Sequence, residues 1–221
     1  MTDELIGKQL GGFRIDELIG QGGMASVYRA HQTSMDRNVA VKVLPKQFAL
    51  DPNFVGRFKR EARVIAQLEH NSILPVYDFG EAAGYLYIAM RIVEHGTLAD
   101  KMPPGQPLPL RDIRRIIGQV GDALDYAHSR GVIHRDIKPS NVLVTNRNNY
   151  LLTDFGIAKQ EGSADAQFTQ TGSIVGTPIY MSPEQALGKA LDRRSDIYSL
   201  GVMLYQLAVG DVPYKADTPM G

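Results

Sequence analysis

The 221-residue chain has no cysteine and no tryptophan, and its 24 Lys+Arg balance its 24 Asp+Glu. Each lack closes off a class of function. Without cysteine there is no disulfide framework, no thiolate zinc site and no cysteine nucleophile, a composition suited to a reducing compartment. With no net charge, nothing global draws the chain toward nucleic acid or an anionic membrane, so no nucleic-acid partner is expected. Long apolar runs are missing as well: residues 199–209 are the best candidate, too short to span a bilayer and interrupted by Gly201 and Gln206. Residues 1–8 are polar and mixed in charge, unlike a signal peptide. The five histidines show no second ligand at metal spacing. A cytoplasmic chain with no membrane segment of its own is expected, although a parent protein could be anchored beyond Gly221.

What is present divides in two. Residues 13–19, 26–31 and 38–44 are short runs of alternating or β-branched residues separated by turn formers, and read as strands. Over 51–69 the period changes: Phe54, Phe58, Ala62, Ile65 and Leu68 recur at helical spacing behind an Asp51-Pro52 start. Strands at 73–79 and 85–92 follow, joined by a turn at Ala83-Gly84. After Val93 the character shifts. Residues 102–109 read as a loop, and 110–130 place Ile113, Ile116, Ile117, Val120, Leu124 and Ala127 on one helical face ended by Gly131. Short strands at 142–145 and 150–153 precede a polar stretch, 157–176, that reads as a long loop, and a helix at 194–208 closes the chain. The layout is α+β and bilobal: an extension (1–12), a small β-rich lobe with one helix (13–93), a hinge at about 91–96 and a mainly helical lobe (97–221).

Chemistry concentrates in His134-Arg135-Asp136-Ile137-Lys138-Pro139-Ser140-Asn141 and Asp154-Phe155-Gly156. In the H-R-D-x-x-x-x-N plus D-F-G pattern the first Asp meets a substrate hydroxyl, while the Asn and the second Asp hold Mg²⁺. Those roles fall to Asp136, Asn141 and Asp154. His134 invites a general-base reading; in this motif, however, the Asp faces the substrate and the histidine packs. Upstream, Ile19-Gly20-Gln21-Gly22-Gly23-Met24-Ala25-Ser26-Val27 is a glycine-rich strand-to-strand turn whose backbone N–H groups can approach phosphates. Ala25 stands at the third glycine position of G-x-G-x-x-G-x-V, and no Gly-Lys-Ser/Thr ends the loop, which excludes a Walker A site. Val39-Ala40-Val41-Lys42 places a lysine on an apolar strand. Its functional reading is contact with the α- and β-phosphates under the hold of a helix carboxylate, Glu61 being the best candidate; its bland reading is a strand-end lysine.

Together, in this order, these motifs resemble a eukaryotic-type (Hanks-type) serine/threonine protein kinase, bacterial branch, over nearly all of 13–221. The resemblance implies ATP with Mg²⁺ or Mn²⁺ and transfer of the γ-phosphate to protein Ser/Thr hydroxyls. It assigns Lys138 to the γ-phosphate and Thr177 to substrate positioning. Met90 becomes the gatekeeper, Arg91 and Val93 offer backbone groups to adenine, and Ala40 and Leu143 sandwich its ring. Arg135 can be matched by phosphate on the loop between Asp154 and Glu184. Phe168-Thr169-Gln170-Thr171 resembles the stretch that bacterial members autophosphorylate, which implies Thr169 and Thr171 as phosphosites and a kinase homodimer for trans-autophosphorylation. Protein substrates are the implied partners.

The sequence also departs from the family. It stops soon after the helix holding Asp196, where relatives continue with helices that cover it and supply an arginine for the equivalent of Glu184. The expectation is a C-terminally truncated helical lobe in which Glu184 lacks that partner and the face around Val202, Tyr205 and Leu207 is under-covered. Two other classes follow: a truncated, catalytically weak ATP-binding pseudokinase-like scaffold, and a small-molecule phosphotransferase. Lys138 and Ser182-Pro183-Glu184 argue against the latter.

Overall fold

Strand-period alternation in the first ninety residues becomes one six-stranded antiparallel sheet in the computed structural model, which describes residues 4–22, 25–145, 149–156 and 178–214. Its strands are β1 (Gln9–Leu10), β2 (Phe13–Gln21), β3 (Ser26–Gln32), β4 (Arg37–Val43), β5 (Val76–Ala82) and β6 (Tyr85–Arg91), in spatial order β1-β2-β3-β4-β6-β5. Successive side chains of a strand face opposite ways, so register sorts them. Tyr28 lies opposite Val41, Ala30 opposite Val39, Val41 opposite Ala89 and Val43 opposite Tyr87. These residues share one face and join Leu5, Leu10, Phe13 and Ile15 in a buried cluster. Each large side chain fully buried there contributes about 1.5–3 kcal/mol. The other face receives Val27, Ala40, Lys42, Ile88 and Met90, Lys42 lying between Val27 and Ile88 on its neighbouring strands.

This first unit comprises Met1–Glu69 and Leu74–Glu94. The segment before Phe13, read from the sequence as an extension, is part of the sheet: Gly7 N–H donates to Ile15 O (2.8 Å), Ile15 N–H donates to Lys8 O (2.9 Å), and Leu5 and Leu10 are buried. Helix α1 (Pro52–Ala66) starts at Asp51, whose side chain accepts from Asn53 N–H, and buries Phe54, Phe58, Ala62 and Ile65 on one face. It packs on β5. The β5–β6 hairpin turns through Ala83 and Gly84, both at positive φ (49° and 74°), the backbone that a two-residue hairpin of this hand requires.

The second unit comprises His70–Ile73 and His95–Gly221. Leu152 N–H donates to Ser72 O (2.8 Å) and Ile73 bridges Leu152 in parallel, which ties residues 70–73 to a part of the chain made much later. Helix α2 (Leu98–Lys101) is a single turn fixed by a capping box between Thr97 and Asp100. The Thr97 backbone and hydroxyl donors hold the Asp100 carboxyl below the usual carboxylate range. Helix α3 (Leu110–Ser129) buries Ile113, Ile116, Val120, Ala123, Leu124 and Ala127. A small hairpin, β7 (Val142–Val144) and β8 (Tyr150–Leu152), follows, then the single-turn α4 (Pro183–Ala186) with its own capping box, Ser182 with Gln185.

Helix α5 (Arg193–Val209) packs against α3 and buries Ser195, Asp196, Ser199, Val202, Met203 and Leu207. It ends at Gly210, φ +86°, where an added Cβ would sit 2.6 Å from the Gln106 backbone, so glycine alone fits. The expected under-coverage of this helix needs correction. Val202 and Leu207 are buried, because the burial stripe at helical spacing already points them inward; Tyr205 is exposed as expected, and Ile197, Leu204 and Val209 are exposed with it.

Candidate functional site

The chemistry-bearing residues of the second unit sit on a turn too tight to be regular. Pro139, buried, opens a 3₁₀ turn through Asn141 (Pro139–Asn141), and Asn141 N–H donates to Lys138 O. That turn brings three side chains together. Lys138 Nζ lies 3.0 Å from Asp136 Oδ2. Asn141 Nδ2 donates to the same oxygen at 2.9 Å and to the Asp136 carbonyl at 2.7 Å. Asp136 is thus aimed by an ammonium and an amide, while about a fifth of its side chain faces solvent. Asn141 is buried, and Thr153 N–H donates to its carbonyl, which fixes it against the end of β8.

His134 is fully buried and packs on Phe155 with ring centroids 4.5 Å apart. Its Nε2 faces the Thr153 carbonyl (2.9 Å) and so carries the proton; its Nδ1 accepts from Asp136 N–H (3.2 Å). Burial holds the imidazole below its usual pKa, against the pull of Asp196 and the neighbouring acids. The neutral ring is the form both contacts require, so His134 serves the backbone and not the proton transfer.

Two non-glycine residues on either side of the β7–β8 hairpin, Arg135 (φ 68°) and Asp154 (φ 61°), adopt the left-handed conformation. Such residues cost about 1–3 kcal/mol each and persist only where surrounding contacts over-determine them. For Arg135 one such contact is Asp196, 1% exposed on α5. Asp196 Oδ1 accepts from Arg135 N–H (2.8 Å), and Oδ2 accepts from His134 N–H (2.8 Å) and from His128 Nε2 (2.7 Å). In the sequence Asp196 stands only as a marker of its helix, with no role, and His128 is not named. The signal was faint: a polar pair, Ser195-Asp196, on the inward stripe of a helix otherwise read as apolar.

Glu184, expected to lack its partner, has another: the Ser195 hydroxyl donates to its carboxylate and holds it below the usual range. In the first unit, register gathers Val27, Ala40, Lys42 and Met90 on one face of the sheet, with Ala40 and Met90 buried. Glu61 is half-buried on α1, one position before buried Ala62. Ile19 and Gln21 are exposed on β2, Gly20 pairs with Val27, and Gly22 N–H closes the turn on Ala25 O (2.9 Å). Arg91 N–H is committed to Pro75 O (3.0 Å), which narrows its offer to a ligand to the carbonyl. Val93 is half-buried outside any strand, and Leu143 lies on β7 beside Thr97. Thr169, Thr171 and Thr177 lie outside the described residues.

The donor set for a divalent cation can be judged from the same contacts. With Asn141 Nδ2 turned to Asp136, its amide oxygen remains as an acceptor, and Asp154 adds a carboxylate. Two hard oxygen donors suit Mg²⁺, which takes one or two protein ligands and fills the remainder with water and phosphate oxygens. Among the described residues no group of three His, Cys, Asp or Glu gathers as an all-protein metal cage, and no helix is long and apolar enough to cross a membrane.

The Protein kinase domain family profile matches residues 13–220. Serine/threonine-protein kinase pkn3 of Myxococcus xanthus is 45% identical over 228 residues, taking in 100% of this chain and 42% of the relative. Serine/threonine-protein kinase PknB of Mycobacterium leprae is 42% identical over 212 residues, 94% of this chain and 34% of the relative. The crystal structure of the M. tuberculosis PknI kinase domain matches with a TM-score of 0.75 at 35% identity, over 95% of this chain and 77% of that one. The chain spans less than half the length of these two curated relatives.

Proposed function

The chain belongs to the protein kinase domain family, and from that membership we propose that it transfers the γ-phosphoryl group of ATP to serine or threonine hydroxyls of proteins. The observation that carries this reading is the Asp136 carboxylate, held 3.0 Å from Lys138 Nζ and 2.9 Å from Asn141 Nδ2 on a proline-stiffened turn. Asp136 accepts the hydroxyl proton as the substrate oxygen bonds to the γ-phosphorus. The bond to the β,γ-bridging oxygen breaks, and ADP leaves. Lys138 offsets charge on the transferred group. A divalent cation held by Asn141 and Asp154 supplies neutralisation of the phosphate oxygens.

Lys42, steadied by Glu61, takes the α- and β-phosphates, and the glycine-rich turn from Ile19 through Gly20, Gln21 and Gly22 to Val27 covers them. Ala40 and Leu143 touch the adenine, Met90 bounds it, and Arg91 and Val93 meet its edge through backbone groups. Thr177 positions the acceptor, and Thr169 and Thr171 are autophosphorylated in trans by a second copy. The reaction belongs to the cytoplasm, where ATP is available. The scaffold alternative is not favoured: the curated relatives are named as serine/threonine-protein kinases, and every residue expected to act is present.

Phosphate transfer from labelled ATP and Mg²⁺ to the chain itself and to a generic basic protein tests the proposal. Wild type is expected to transfer; Asp136→Asn and Lys42→Met are expected to lose at least about 100-fold, the usual scale of a positioned proton acceptor or charge. Undiminished transfer by Asp136→Asn refutes it.

A further inference from the structure

A peptide plane preceding a reacting side chain can rotate unless both its ends are fixed, and a left-handed residue beside it makes that rotation easy. Two planes flank Arg135. In the first, His134 O accepts from Gly156 N–H (3.0 Å) and Arg135 N–H donates to Asp196 Oδ1 (2.8 Å). In the second, which leads directly to the Asp136 Cα, Asp136 N–H donates to His134 Nδ1 (3.2 Å). Its carbonyl, Arg135 O, accepts from Gln185 Nε2 at 2.9 Å. Gln185 is thus the donor that a flip of the Arg135–Asp136 peptide must break.

Gln185 is well placed for this task. It is the third residue of α4, and its Oε1 accepts from Ser182 N–H (3.1 Å) while its own N–H donates to Ser182 Oγ (3.3 Å). Ser182 is fully buried. The two partners also fix which end of the amide is which, because a peptide N–H needs the oxygen and a carbonyl needs the nitrogen. An ordinary capping box uses only the oxygen; a glutamate would cap equally well. The nitrogen is therefore free for a second role, and the carbonyl it meets belongs to the strained residue beside Asp136.

We propose that Gln185 is a positioning residue of the phosphoryl-transfer site: its amide nitrogen locks the Arg135–Asp136 peptide and so couples the Ser182–Ala186 turn to the orientation of the Asp136 carboxylate. The inference rests on the proposed phosphoryl-transfer reading and adds to it a residue outside the motif's chemical set.

Gln185→Glu separates the two roles, since it keeps the cap oxygen and removes the N–H. Measured on the protein beside wild type, it is expected to melt about 2–4 °C lower, because the part-buried Arg135 carbonyl loses its donor while the cap is kept. Its KM for ATP is expected to be unchanged, and its kcat to fall about tenfold, equivalent to about 1.4 kcal/mol. Gln185→Met, which loses both contacts, is expected to show the same kcat loss together with a lower melting temperature. Wild-type kcat in Gln185→Glu overturns the proposal and reduces Gln185 to a cap. A readout independent of activity is amide hydrogen exchange at Asp136. Release of the peptide is expected to speed it in both variants, and unchanged exchange overturns the proposal even if the kinase reading itself fails for want of wild-type activity.

Discussion

Removing the Asp196 carboxylate should be the most damaging single change in the second unit outside its apolar core. The carboxylate is 1% exposed and accepts three hydrogen bonds, from His128 Nε2, His134 N–H and Arg135 N–H, all between 2.7 and 2.8 Å. In Asp196→Ala both peptide donors are stranded away from water, at about 1–3 kcal/mol each, and the charge-assisted contact to His128 is lost as well. The sum is at least about 3 kcal/mol, set against a typical total stability of about 5–15 kcal/mol. Asp196→Asn is gentler. With its oxygen in place of Oδ2 it still meets His128 and His134 but turns an NH₂ toward Arg135 N–H, a single unmet donor at about 1–3 kcal/mol. At about 2–4 °C per kcal/mol, Asn should melt about 2–12 °C below wild type and Ala at least about 6 °C below. Thermal melts and urea unfolding of the three proteins provide the ranking. Phosphate transfer should fall further in Ala than its folded fraction accounts for, because Arg135 then has less to hold it at φ 68°. An Ala variant melting within about 2 °C of wild type would falsify the view that this carboxylate over-determines the strained loop.

The remaining expectations concern protons and one hydroxyl. Burial keeps His134 neutral when folded, whereas the unfolded ring titrates near its usual 6.5, so the unfolded state binds the extra proton as pH falls. Stability should therefore be full above that value and decline on acidification below it; urea midpoints from pH 7.5 down to 5.5 check the trend, and His134→Gln should flatten it. Ser195→Ala removes the donor that depresses Glu184, so the Glu184 carboxyl should titrate higher by NMR. The stability this depressed carboxyl contributes is present above its unfolded value near 4.5 and lost as pH falls through the folded one, so the variant should lose about 0.5–1.5 kcal/mol at pH 7 and less at pH 3.

What could be read from the sequence followed from local periodicity. The alternation in 39–43 placed β4, and the spacing of Phe54, Phe58, Ala62 and Ile65 placed α1, because in both cases neighbours in sequence decide which side is buried. The motif residues Asp136, Lys138 and Asn141 come together because five positions and one proline fix their turn. Where contact is distant, the sequence is silent. Asp196 meets its partners across more than 60 positions, and Gln185 meets Arg135 across 50. The single-turn helices α2 and α4 were legible in principle, as Thr97-x-x-Asp100 and Ser182-x-x-Gln185, but one turn is too short to show a period. The segment before Phe13 carries no legible period, since β1 is two residues long, and its pairing with β2 and the burial of Leu5 and Leu10 emerge only in the fold. On α5 the apolar content was plain and its direction was not, since apolar side chains occupy both faces of that helix.

The pairing of residues 70–73 with β8 has a consequence for synthesis on the ribosome. The first sheet can close once β6 has left the exit tunnel, but Ser72 and Ile73 meet Leu152 only after roughly 60 more residues, on the order of five seconds of translation. During that interval Ile73, 2% exposed in the finished fold, has no strand to meet. A nascent chain stalled between the two events is therefore the species a chaperone should hold longest. Cutting the gene at the 94/95 boundary would make that delay permanent.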